Sequence, residues 1–175
     1  VLPEHTFSQL AELDNWLKHN DTLMKDSGIR RRVKPGYRIL FYGPPGSGKT
    51  LTASLLGKSS GRQVFKVDLS MVVSKYIGET EKNLSRLLDV AEHKNWVLFF
   101  DEADSLFSKR TEINDSKDKY ANQGTSYLLQ RLEEYDGLVI LATNLRPNID
   151  RAFVRRFQSI LYFNLPTVDE RIKLW

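Results

Sequence analysis

Eight consecutive residues, Gly43-Pro44-Pro45-Gly46-Ser47-Gly48-Lys49-Thr50, have the types and spacing needed to hold phosphate. They match the pattern G-x-x-x-x-G-K-[ST], the phosphate-cradling P-loop. Gly43, Gly46 and Gly48 let the backbone curl with its N–H groups pointing inward, toward phosphate oxygens. Lys49 would reach the β- and γ-phosphates of a nucleotide, and the Thr50 hydroxyl would ligate Mg²⁺. The nucleotide-binding stretch is taken to run on to Leu51. An ordinary Gly/Pro turn is the plainer alternative, but the Lys, the Thr and the flanking segments all agree with the loop.

Four further features have chemistry to offer. Asp101 and Glu102 directly follow an apolar run, Phe99-Phe100. Asp101 would hold the Mg²⁺ shell, directly or through water, and Glu102 would polarise an attacking water in line with the γ-phosphate. Asn144 ends the segment Ala142-Thr143-Asn144. Its neutral amide could orient that water or touch the γ-phosphate without adding negative charge, and it could equally be a turn residue. Arg155 and Arg156 are adjacent. Arginines stabilise charge on a transferring phosphoryl group, also from a neighbouring subunit. By themselves, two arginines at a helix end are more often plain surface residues. Lys75-Tyr76-Ile77-Gly78 places an aromatic between Lys and Gly, either packed or exposed, and periodicity does not say which.

These residues need elements to position them. Tyr37 to Tyr42 is rich in β-formers and reads as a strand. After the loop, Thr52, Leu55, Leu56 and Ser59 fall at helical spacing. Strand, glycine loop and helix is the order that aims a helix N-terminus at an anion. Further strands are expected at Val64–Asp68, Trp96–Phe100, Leu138–Ala142 and Ile160–Phe163. Helices are expected at Glu79–His93, with Leu84, Leu87, Leu88 and Ala91 on one face, and at Tyr120–Tyr135, with Ala121, Gly124, Leu128 and Leu132 on one side. Thr6-Phe7-Ser8-Gln9 resembles a capping box before a helix carrying Leu10, Leu13 and Leu17. A polar, basic connection from Lys18 to Gly36 would follow it. Strands alternating with helices imply a mostly parallel sheet covered on both faces.

The 175 residues suit one domain, with 41% hydrophobic and 27% charged residues. The net charge of +4 does not in itself imply nucleic acid, and Arg30-Arg31-Arg32 with Lys34 and Arg38 reads as a solvated basic loop before the first strand. The absence of cysteine excludes a disulfide scaffold and a cysteine metal site, and is compatible with an intracellular home. No apolar run reaches membrane-spanning length. The first residue is Val1, and Trp175 falls inside what reads as a helix opening at Val168, so a piece of a longer protein is expected.

Taken together, Gly-Pro-Pro-Gly-Ser-Gly-Lys-Thr, Ser-Lys-Tyr-Ile-Gly-Glu-Thr-Glu-Lys-Asn, Phe-Phe-Asp-Glu-Ala-Asp, Ala-Thr-Asn and Ala-Phe-Val-Arg-Arg-Phe resemble the AAA ATPases, from about Tyr37 to Pro166. The resemblance implies an α/β fold, a P-loop NTPase three-layer sandwich with a mostly parallel five-stranded sheet. Residues 1–36 would be a helix and basic connection, 37–166 the nucleotide-binding core, and 167–175 the start of a helical lid that is otherwise missing. It implies ATP and Mg²⁺ as ligands, with Lys75, Tyr76, Ile77 and Gly78 lining a ring's pore and gripping a polypeptide. It further implies Asn144 as a sensor, and Arg155 and Arg156 as fingers reaching a neighbour's nucleotide in a homo-hexamer. A cytoplasmic protein without membrane insertion is expected.

Two departures from the family pattern stand out. The arginines lack an intervening Pro-Gly, as in the microtubule-severing and membrane-scission branch. An Asp-Ile-Gly-Gly segment, which often contacts adenine, is absent upstream. The segment from Leu106 to Tyr135 resembles a bacterial subgroup, some members of which are encoded beside contractile injection particles. The favoured expectation is an ATP-driven protein remodeller. A nucleic-acid motor or loader, suggested by the basic stretch, and a nucleotide-dependent scaffold without turnover remain alternatives.

Overall fold

The computed structural model describes residues 4–23, 36–69, 77–104, 126–144, 155–168 and 172. Five strands form one sheet: β1 (Tyr37–Tyr42), β2 (Val64–Asp68), β3 (Val97–Asp101), β4 (Leu138–Thr143) and β5 (Ser159–Tyr162). Their order is β2-β3-β4-β1-β5, and every pairing is parallel. Four helices are described: α1 (Glu4–Leu23), α2 (Lys49–Ser60), α3 (Ile77–His93) and α4, residues 126–134.

The apolar runs are strands because both of their faces are covered. All six residues of β4 are buried, as are Val97 to Phe100 of β3. Successive side chains alternate between faces. Ile39, Phe41, Phe99 and Ile140 therefore pack with Leu13 and Leu17 of α1 and Ala53 and Leu56 of α2. Leu40, Leu98, Phe100 and Leu141 pack with Leu84 and Leu88 of α3 and Leu128 and Leu132 of α4. Each fully buried Leu or Phe stabilises the fold by about 1.5–3 kcal/mol. The result is the three-layer sandwich expected from the sequence.

Several boundaries differ from expectation. α1 begins at Glu4, so Thr6 lies inside the first turn and is buried rather than capping the helix. It also runs on to Leu23, so Lys18 belongs to a helix and not to a connection. There Lys18 pairs with Asp14 one turn back, 2.5 Å away. α3 starts at Ile77, two residues early, and β3 is shifted one residue onward to include Asp101. Leu55, placed by spacing on α2, is 55% exposed. Of residues 167–175 only 167, 168 and 172 are described, and 168 and 172 are helical.

Arg38 is the largest departure. It sits in β1, as the strand pattern of Tyr37–Tyr42 predicts, but at 4% exposure rather than solvated with the basic stretch before it. Its Nε donates to Leu132 O at 3.1 Å, Nη1 to Gly36 O at 3.3 Å, and Nη2 to Tyr135 O at 3.2 Å and to Glu133 O. The last carbonyls of a helix have no intrahelical donors and carry partial negative charge. Arg38 supplies those donors at the end of α4. Burial lowers its pKa, opposed by Glu133 and Asp136, but a guanidinium remains charged.

Candidate functional site

In a parallel sheet, the strand ends carrying the chain onward gather at one edge. β1 and β3 both flank β4, so the loop after Tyr42, the acidic end of β3 and the end of β4 meet there. This carboxyl edge is where open α/β sheets bind ligands.

The glycine loop is fixed at both ends. The Gly43 N–H donates to Thr143 O at 3.2 Å, which ties the loop to β4. A Cβ on Gly43 would lie 2.1 Å from Phe163 O, so no larger residue fits. Gly48 is the N-cap of α2 with φ of 95°, a left-handed backbone, and has no side-chain cap hydrogen bond. A Cβ there would meet nothing within 4 Å, so the requirement is conformational and the space beyond is open. The first intrahelical bond runs from Thr52 N to Gly48 O at 2.9 Å. The amides before Thr52 therefore lack helical acceptors, which is what an anion needs. The Ser47 hydroxyl in the same loop is buried without a hydrogen-bond partner.

Lys49 is 7% exposed. Its Nζ donates to Gly43 O at 2.7 Å, Pro44 O at 3.0 Å and Asn144 Oδ1 at 2.9 Å. Burial lowers its pKa, while Asp101 and Asp104 favour the charged form. Asn144 is exposed just past β4 and is thereby tied to the loop lysine.

Glu102 is also exposed and has a φ of 53°, rarely adopted by a non-glycine residue. Two bonds hold the backbone there: Glu102 N to Asp101 Oδ1 at 3.0 Å, and Ala103 N to Ala142 O at 2.9 Å. Asp101 Oδ2 also meets Lys66 Nζ at 2.7 Å. Asp104 accepts from the Thr143 hydroxyl and from Asn144 N, the latter at 3.2 Å. The structure thus brings residues 43–51, Asp101, Glu102 and Asn144 together. Asp104 and Lys66 were missed by sequence reasoning. The signals were there: a carboxylate three residues past Asp101, and a lysine inside a strand pattern.

Among the described residues no group of three or more His, Cys, Asp or Glu is clustered to hold a metal. The oxygens on offer are the hydroxyl of Thr50, exposed in the first turn of α2, and the partly exposed carboxylate of Asp101. A sparse set of hard oxygens suits Mg²⁺, which keeps several waters and takes substrate phosphates as ligands.

Arg155 and Arg156 lie elsewhere. They form an exposed turn ahead of β5, whose Ser159 pairs with Ile39 near the start of β1. Gln158 exchanges bonds with the backbone of Arg38, N to O at 3.0 Å and Oε1 from N at 2.8 Å. Arg156 pairs with Glu133 at the end of α4, another residue missed from sequence. The arginines therefore stand at the amino edge of the sheet, roughly 15–20 Å from the glycine loop for a strand of this length. Of the Lys75–Gly78 segment, Lys75 and Tyr76 lie outside the described residues, and Ile77 and Gly78 open α3.

The family model for the ATPase family associated with various cellular activities (AAA) matches residues 39–165. The chain belongs to the AAA family of ATPases. This AAA chain is 36% identical over 148 residues to vacuolar protein sorting-associated protein 4 of Dictyostelium discoideum, covering 81% of this chain and 33% of that protein. It is 33% identical over 186 residues to proteasome-activating nucleotidase 1 of Halobacterium salinarum, covering 99% and 46%. Its fold is similar to the FIGL-1 AAA domain crystallised with ADP, with a TM-score of 0.75 and 31% identity over 98% of this chain and 56% of that one. The chain thus spans less than half the length of these two relatives. Among the described residues no helix is long and apolar enough to cross a membrane.

Proposed function

We propose that this AAA chain is the core of a ring-forming motor that couples ATP hydrolysis to remodelling, unfolding or disassembling a protein. The observation that carries the reading is the enclosed Lys49 ammonium, held by Gly43, Pro44 and Asn144 within the field of the carboxylates of Asp101 and Asp104.

The residues of the carboxyl edge then have distinct tasks. Loop amides from Gly43 to Leu51 cradle the phosphates, and Lys49 exchanges its carbonyl partners for β- and γ-phosphate oxygens. Thr50 and Asp101 would hold Mg²⁺, which when bound would neutralise charge on the phosphates. Glu102, projecting from a strained backbone, takes a proton from the attacking water. Asn144 orients that water while Asp104 fixes the Asn144 backbone.

Arg155 and Arg156 stand at the other edge of the sheet and serve the nucleotide of the next subunit, in a head-to-tail ring of six. Lys75, Tyr76, Ile77 and Gly78 would line the pore and grip the polypeptide. A protein substrate is favoured by the relative named as proteasome-activating. The nucleic-acid alternative loses one basic residue, because Arg38 is buried among carbonyls. A helical lid after residue 166 would be needed for full turnover.

Glu102→Gln tests the reading. Nucleotide affinity should stay within about threefold of the parent, while steady-state hydrolysis by the full-length protein should fall about 100- to 10,000-fold, the range of a lost general base. Turnover near the parental rate would remove Glu102 from the role.

A further inference from the structure

Lys66 is the middle residue of β2, at the edge of the sheet. Its ammonium is 2.7 Å from Asp101 Oδ2, with side-chain exposures of 53% and 25%. The other carboxylate oxygen, Oδ1, accepts the Glu102 N–H at 3.0 Å. Both oxygens of Asp101 are therefore engaged by protein donors. The pairing follows from register. Lys66 lies opposite Phe99 and Asp68 opposite Asp101, so Lys66 shares a sheet face with Asp101. Phe99 packs on that face with Ala53 of α2, whose first turn carries Thr50.

The second nearby cation is differently committed. Lys49 spends its three donors on Gly43 O, Pro44 O and Asn144 Oδ1, and acts on Asp101 only through space. Lys66 makes the direct contact.

We propose that Lys66 is a resident counter-ion of Asp101 that competes with Mg²⁺ for this carboxylate and so sets the magnesium concentration at which nucleotide binds. The inference rests on the reading that Asp101 belongs to the Mg²⁺ shell. A divalent ion arriving at Asp101 must share or displace the ammonium and is repelled by it. In a partly exposed, salt-screened site, one such charge changes a divalent affinity by roughly three- to tenfold.

The test is the binding of a fluorescent ATP analogue to the full-length protein across a Mg²⁺ titration. Lys66→Gln and Lys66→Met should each lower the half-saturating Mg²⁺ by about three- to tenfold. Lys66→Arg, which keeps the charge, should stay within about twofold of the parent. Affinity in excess chelator should not change, whereas a merely structural role would weaken binding at every Mg²⁺ level. In an Asp101→Asn background, Lys66→Gln should have no effect. An unchanged or raised half-saturating Mg²⁺ in both neutral variants overturns the counter-ion role. A parent that binds no nucleotide at any Mg²⁺ level overturns the reading beneath it as well, so the two failures are distinguishable.

Discussion

At the carboxyl edge of the sheet, Lys49 is 7% exposed and donates to three acceptors. At the amino edge, Arg155 and Arg156 lie exposed in a turn, and Arg156 meets the single carboxylate of Glu133. The amino edge can also enclose a cation, since Arg38 is 4% exposed there against the end of α4. The exposure of Arg155 and Arg156 is thus specific to their turn. A cation surrounded by acceptors of its own chain is committed in advance, to a fold or to a ligand. One left at the surface beside a lone carboxylate can be taken up by another chain. On the function proposed above, the carboxyl edge would be a prepared half-site and the arginine turn the half offered to a neighbour.

The largest effect that sharpens the contrast is expected for Lys49→Ala. Two lost charge-assisted bonds to phosphate, at about 1.5–3 kcal/mol each, should weaken nucleotide affinity at least about 100-fold by equilibrium titration. Parental affinity would break the claim that Lys49 is prepared for a ligand. Next is Arg38→Met, which removes donors from four carbonyls and should lower stability by about 3 kcal/mol in urea unfolding. The smallest is Arg156→Ala. Losing an exposed ion pair should change stability by less than about 1 kcal/mol and leave nucleotide binding by a single subunit intact. A loss as large as that for Arg38 would erase the distinction between enclosed and offered arginines.

Much of the carboxyl edge was legible because its determinants are local. The loop from Gly43 to Thr50 is contiguous, and β3 and β4 announce themselves as apolar runs because they are buried on both faces. What was not legible depends on partners distant in sequence. Arg38 looked solvated because three of its four acceptors lie 94 to 97 residues away, at the end of α4. Lys66 read only as part of a strand, and its approach to Asp101 follows from strand register. Thr6 carried a capping signature, but the helix starts earlier and buries it. The arginines could be named from sequence, but their position on the edge opposite the loop follows only from the strand order.

The central claim is that each working site takes its glycine loop from one subunit and its arginines from another. Mixing tests this most directly in the full-length protein. Glu102→Gln subunits lack the water activator but keep the arginines, and subunits with Arg155→Ala and Arg156→Ala have the reverse defect. Each should be nearly inactive alone. Steady-state ATP hydrolysis of an equal mixture should rise well above the sum of the two, because interfaces with one intact half from each parent form. A mixture no more active than that sum, from subunits shown to co-assemble, would contradict the account.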